Sequence, residues 1–224
     1  MGSIKGLRNF VKKYPYLGPI LWVMTAQYFV ITYIVSRSWH PPYSLAHNSI
    51  SDLGNTACGI YANRLASNSY VCSPKHTLMN TSFVLTGALM ILGAKLIYPL
   101  FKKSRNTLIG LSCIGLGGLG AILVGLFPEN TTSALHTTGA ALDFLVGNVG
   151  LVILGFSLRL PKMLKVYTLF TGFLTLIFLV FYTSKVYLGL GLGGTERLAS
   201  YPQTIWLIVF GIYLVYSKYS LKNS

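Results

Sequence analysis

Apolar and polar positions alternate along this chain in long blocks. Six runs of roughly 17 to 25 predominantly apolar residues are separated by short polar segments. Runs of that length are what a helix needs to cross a bilayer at 1.5 Å per residue. The pattern predicts spans over about 17–35, 78–98, 107–126, 133–157, 166–184 and 198–217, with one long polar loop at 37–76. The fold class it implies is an all-α, six-helix integral membrane bundle forming a single domain over residues 1–224. Leu188 to Gly194 (LGLGLGG) is expected to be a flexible turn before the last span.

Composition agrees with that picture. Of the 224 residues, 53% are hydrophobic and only 10% charged, and the mean hydropathy is +0.59. A net charge of +14 raises nucleic acid as a partner, but the basic residues are scattered between apolar runs, which argues against it. The expected partner is the lipid bilayer. Lys5, Arg8, Lys12 and Lys13 precede the first run, which is too long for a signal-peptide core and is read as an anchor. Most Lys and Arg flank the N-terminus, the 2–3 and 4–5 loops and the C-terminus. The opposite loops hold Arg37, Arg64, Lys75, Lys185 and Arg197. The positive-inside rule then places both termini in the cytoplasm of a multi-pass cell-membrane protein and the 37–76 loop outside.

That orientation segregates the chemistry. The four acids (Asp52, Glu129, Asp143 and Glu196) and the four histidines (His40, His47, His76 and His136) all fall in outer loops or the outer half of a span. An outward-facing polar pocket would explain this. So would the greater length of the outer loops, except at Asp143, which lies about 10–15 Å along its helix. A carboxylate there costs about 2.5–3.5 kcal/mol on insertion scales. His136 and Asp143 are seven apart and share a helical face, with Gly139, Ala140, Gly147 and Gly150 allowing a neighbouring backbone close approach.

Three constellations are candidates for function. In His47-Asn48-Ser49-Ile50-Ser51-Asp52, Asp52 would pair with Arg197, ligate a metal or act as a base; the alternative is an Asp-Leu-Gly turn or helix cap. Glu129, His136 and Asp143, with Asp52 or His47, offer donors for a divalent metal as cofactor. No HExxH, HxxxH or CxxC spacing calls for one, and a His136–Asp143 hydrogen bond between helices is the competing reading. Gly193-Gly194-Thr195-Glu196-Arg197 would cap the last span and bind a lipid headgroup through Arg197, or form an interfacial ion pair. The candidate catalytic residues are therefore His136, Asp143, Asp52 and Glu129. The candidate substrate-binding residues are Arg197, Glu196, His47, Ser51 and Asn148. No histidine pair is placed for haem.

Cys58 and Cys72 lie in the outer loop, where a bridge between them would close about 15 residues and contribute about 3 kcal/mol; two free thiols are the alternative. Asn80-Thr81-Ser82 and Asn130-Thr131-Thr132 match the glycosylation sequon. The glycines from Gly117 to Gly125 in span three mark close helix packing.

Several of these strings, in their order, resemble a known family. They are Ser49-Ile50-Ser51-Asp52-Leu53-Gly54, Met79-Asn80-Thr81-Ser82-Phe83, Gly125-Leu126-Phe127-Pro128-Glu129 with His136 and Gly139-Ala140, and Gly194-Thr195-Glu196-Arg197-Leu198 before Tyr201-Pro202. Together they resemble the archaeal and bacterial membrane family called domain of unknown function 998, from about Ser49 to the last span. The Ile-Ser-Asp loop and the His-x-x-Gly-Ala helix are also distantly similar to the Frag1/DRAM/Sfk1 family. That resemblance implies six spans and roles in lipid-anchor remodelling or membrane organisation; Leu53 and the long Asn-rich insertion depart from it. The expected function is handling of lipid or lipid headgroups in an outward pocket, with or without catalysis. The alternatives are a small proton- or cation-linked transporter, and a non-catalytic subunit of a larger membrane complex or homo-oligomer.

Overall fold

Within a bilayer every backbone N–H and C=O has to be paired inside the protein, and long apolar runs meet that demand as helices. The computed structural model describes residues 2–61, 69–102 and 104–217. It contains six helices long and apolar enough to cross a membrane: Leu17–Ser36, His76–Leu100, Arg105–Leu126, Ser133–Ser157, Lys162–Thr183 and Gly191–Tyr216. The loop residues 62–68, with Arg64, and the charges Lys103, Lys218 and Lys222 lie outside the described residues.

An amphipathic helix α1 (Gly2–Lys13) precedes the first span. That span is α2 (Leu17–Val23) and α3 (Gln27–Ser36), joined by a tighter 3-10 turn over Met24–Ala26. Then follow α4 (His76–Ile97), α5 (Arg105–Leu126), α6 (Ser133–Ala141), α7 (Asn148–Ser157), α8 (Lys162–Thr183) and α9 (Gly191–Tyr216). The first loop is shaped by a 3-10 turn at Ser51–Gly54 and a small antiparallel hairpin, β1 (Gly59–Tyr61) on β2 (Ser69–Val71), with Ile60 opposite Tyr70. Cys58 and Cys72 are joined by a disulfide at the base of that hairpin.

Two boundaries differ from the sequence pattern, and both move chemistry. The last helix begins at Gly191, not near residue 198. The Gly-rich run is its first turn, so Glu196 and Arg197 lie inside the helix instead of in a loop before it. Three glycines are poor helix formers in water, but here their small size brings the backbone against the first loop. A side chain at Gly193 would collide with the carbonyl oxygen of Asn48. The fourth span is interrupted by a π-helical segment, Leu142–Gly147, between α6 and α7. A π turn holds more residues than an α turn, so the facing of residues beyond it is shifted from the seven-residue register.

Span three packs where the sequence placed small residues. A side chain at Gly120 would meet the carbonyl of Gly139, and one at Gly150 would meet the carbonyl of Gly110. Helices α5 and α6–α7 therefore touch backbone to backbone at two levels. Two apolar clusters fill the bundle. One, at the end carrying the chain termini, is built on Trp22, Met90, Ile114, Leu154, Trp206 and Phe210. The other, at the loop end, includes Tyr28, Val35, Trp39, Leu53, Met79 and Phe83.

Candidate functional site

Three segments remote in sequence meet at the loop end: the 3-10 turn at Ser51–Gly54, the α5–α6 corner with the first turn of α6, and the second turn of α9. The 3-10 turn is set by a reciprocal cap. Asp52 Oδ2 accepts the Ser49 N–H at 2.8 Å, and Ser49 Oγ accepts the Asp52 N–H at 3.0 Å. The turn's own first donors point into the bundle, where Glu196 Oε2 accepts the Ile50 N–H at 2.5 Å and the Ser51 N–H also reaches Glu196. A buried carboxylate at the positive end of a short helical turn is a favourable arrangement.

Ser51 and Asp52 then reach the α5–α6 corner with successive side chains. Ser51 Oγ lies 2.9 Å from Nε2 of His136. The other ring nitrogen, Nδ1, lies 3.0 Å from the Phe127 carbonyl oxygen. A carbonyl can only accept, so Nδ1 carries the proton and Nε2 presents a lone pair to the serine hydroxyl. The next residue, Asp52, is hydrogen-bonded to Glu129, two residues after Phe127. Burial and the neighbouring Asp52 carboxylate push the Glu129 carboxyl up to about 9. Burial also raises Asp52, against the hydrogen bonds from Glu129 and Ser49 that favour its ionised form. Of the two, Glu129 is the one held protonated at neutral pH, with Asp52 as its hydrogen-bond partner.

Arg197 faces the opposite way from these acids. Its Nη1 donates to the carbonyls of Leu45, Asn48 and Gly193 at 2.8, 3.1 and 2.8 Å, and its Nη2 donates to Tyr43 Oη. The rings of Tyr43 and Tyr201 lie within 5.4 and 5.9 Å of its guanidinium carbon. This arginine fastens the first loop to α9; it does not pair with Asp52, and it is 8% exposed. The Glu196–Arg197 interfacial pair is likewise replaced by these separate partners.

Below this layer, Asp143 Oδ1 accepts a hydrogen bond from Gln203 Nε2 at 2.7 Å. The expected His136–Asp143 bond is not made: both ring nitrogens of His136 are engaged by Ser51 and the Phe127 carbonyl, and Asp143 is engaged by Gln203 of α9. Asn148, one turn deeper, is fully buried and donates to the Phe144 carbonyl. His47 is exposed on the loop, and its backbone N–H reaches Ser44 Oγ. Of the four histidines only His136 joins the acids. Among the described residues no three His, Cys, Asp or Glu side chains converge as metal ligands. Asn130, in one sequon, exchanges two hydrogen bonds with Thr56, and Asn80, in the other, donates to the Gly54 carbonyl from within α4.

A small cavity of about 40 Å³ connects the two levels, with Ser51 and Glu196 at one end and Asp143, Ser200 and Thr204 at the other. Ser200 and Gln203 were not singled out from sequence. The available signal was their spacing: Glu196, Ser200, Gln203 and Thr204 recur at helical intervals along one face of α9.

Fold and site together define a multi-pass membrane protein with a polar centre at one end of its bundle. The family model described as Protein of unknown function (DUF998) matches residues 23–213, and the chain belongs to that family. No curated protein and no solved structure matches it.

Proposed function

We propose that the chain is a membrane enzyme acting on lipid esters, with Ser51 as nucleophile and His136 as general base. The observation that carries this reading is the Ser51–His136 contact: a hydroxyl 2.9 Å from the unprotonated nitrogen of an imidazole whose other nitrogen is fixed on a backbone carbonyl. That is the geometry that activates a serine. Attack of Ser51 Oγ on an ester carbonyl would pass the serine proton to Nε2. His136 would return it to the departing alkoxide, leaving an acyl-serine that water or a second alcohol resolves through the same base. Asp52 and Glu129 act as positioning residues. The hydrogen bond between them, with Glu129 protonated, anchors the turn that bears Ser51 to the corner that bears His136.

The positive-inside count orients this end away from the cytoplasm, at the outer leaflet of the cell membrane, where lipid is the available ester. A transporter would need a polar route through the remaining half of the bundle, whose core is built on Trp22, Ile114, Leu154, Trp206 and Phe210.

The test is covalent labelling of the purified protein in lipid nanodiscs by a serine-directed fluorophosphonate. Labelling of the wild type should fall at least 100-fold in Ser51→Ala and His136→Asn, with melting temperatures held within a few degrees. Equal labelling of Ser51→Ala, or none of the wild type under conditions that label a control serine hydrolase, would exclude the nucleophile. His136→Ala with unchanged labelling would exclude the base.

A further inference from the structure

Asp143 sits mid-span, yet no basic residue lines the cavity it faces. The lining also holds Ser200 and Thr204 from α9, Thr86 from α4, and the rings of Tyr28, Phe83 and Phe144. Among the described residues the Asp143 carboxylate accepts its hydrogen bond from a neutral amide, Gln203. Two more polar atoms at this level have no partner among the described residues. They are Ser200 Oγ, which lines the cavity on a side chain 9% exposed, and Gln203 Oε1, which lies beside Gly147 and outside the lining. Buried oxygens are normally satisfied, and unsatisfied ones call for an explanation. A carboxylate, neutral oxygens and aromatic faces share one preference, since all attract positive charge.

We propose that this cavity binds a small monovalent cation, with the Asp143 carboxylate as its counter-charge and the Ser200 and Thr204 hydroxyls among its oxygen ligands. The donor set is oxygen only. The second lining carboxylate, Glu196, already accepts the Ile50 and Ser51 N–H groups, which leaves Asp143 as the counter-charge and suits a hard singly charged ion or a primary ammonium better than a transition metal. Size points the same way. About 40 Å³ accommodates an ion with one or two waters, each needing on the order of 10–15 Å³. The cation would arrive as a free alkali ion or as the ammonium of an aminolipid headgroup entering past Ser51. In either case it neutralises a charge that the bilayer interior penalises. The site does not depend on ester chemistry at Ser51, and it is tested without it.

The experiment is thermal unfolding of the detergent-purified Ser51→Ala chain, and of the wild type, at constant ionic strength. Choline is exchanged for sodium, potassium or methylammonium; a second series compares nanodiscs of phosphatidylcholine with nanodiscs containing phosphatidylethanolamine. The expected result is a rise in melting temperature of about 5 °C or more as the effective cation replaces choline. That rise should be absent in Asp143→Asn, whose amide oxygen still accepts from Gln203. Ser200→Ala, which leaves the Asp143–Gln203 bond intact, should move the half-effective concentration upward about 5-fold. Response to sodium or potassium identifies a free ion; response to methylammonium and to phosphatidylethanolamine, without the alkali ions, identifies the headgroup. Identical curves in choline and in every smaller cation overturn the proposal, as does a full response retained in Asp143→Asn. Because Ser51→Ala serves as a host, loss of labelling activity and loss of cation binding are separately visible.

Discussion

The two ends of this bundle are built on opposite rules. At the end bearing the termini, side chains meet as large apolar surfaces: Trp206 stacks on Phe210 with ring centroids 4.6 Å apart, and Trp22 closes over both. The two indole N–H groups there find single acceptors, the Met90 carbonyl and Thr168 Oγ1. At the loop end, buried polar groups are tied across elements instead, Glu196 to the 3-10 turn, Arg197 to the first loop, and Ser51 and Asp52 to the α5–α6 corner. Van der Waals packing among large rings makes a rigid, sealed half. Hydrogen bonding among carboxyls, hydroxyls and an imidazole makes a half whose proton positions and partners can change.

The largest test of that division is in the sealed half. Trp206→Ala should reduce stability by about 3–5 kcal/mol through the cavity it leaves, as measured by reversible unfolding in detergent. Fluorophosphonate labelling per folded molecule should be unchanged. A loss of labelling matching that of Ser51→Ala would show that the halves are not separate.

Breaking the Cys58–Cys72 bridge should act on the other end. Cys58→Ser with Cys72→Ser is expected to cost about 3 kcal/mol in the chain-entropy model, with increased proteolysis in the first loop and hydrogen-exchange protection of α5 and α7 retained. Uniform loss of protection would mean that the loop end and the sealed half unfold together.

A smaller effect should come from pH. Glu129 is raised from 4.5 to about 9 by burial and the Asp52 charge, so between those values the folded chain holds a proton that the unfolded chain has lost. Stability from this group is full below about pH 4.5 and falls as pH rises toward 9. Glu129→Gln keeps a donor toward Asp52 and removes the titration. It should flatten the decline in melting temperature between pH 5 and 9; an unchanged slope would assign the decline to other groups.

The least effect is expected at His47, exposed on the loop. His47→Ala should alter stability by no more than about 0.5 kcal/mol and leave labelling intact. A large loss of labelling would place the substrate over the loop.

The residues by themselves determined the six spans, because no other arrangement satisfies the backbone of such long apolar runs in a bilayer. They also marked the close-packed glycines of span three, since only small side chains permit that approach, and they drew attention to the acids and to His136 by the cost of placing such groups among Leu and Val. The partners were decided by tertiary structure. His136 and Asp143 share a face on an ideal helix, but the segments packed against that face give them different partners, Ser51 and the Phe127 carbonyl for one and Gln203 for the other. Glu196 and Arg197 are adjacent, and a helix beginning at Gly191 sends one toward Ile50 and the other toward Leu45 and Tyr43. Ser51 meets His136 across 85 positions of chain, a distance over which periodicity carries no information. Local pattern fixes what each segment becomes; which polar atoms then meet depends on the register of helices packed against one another.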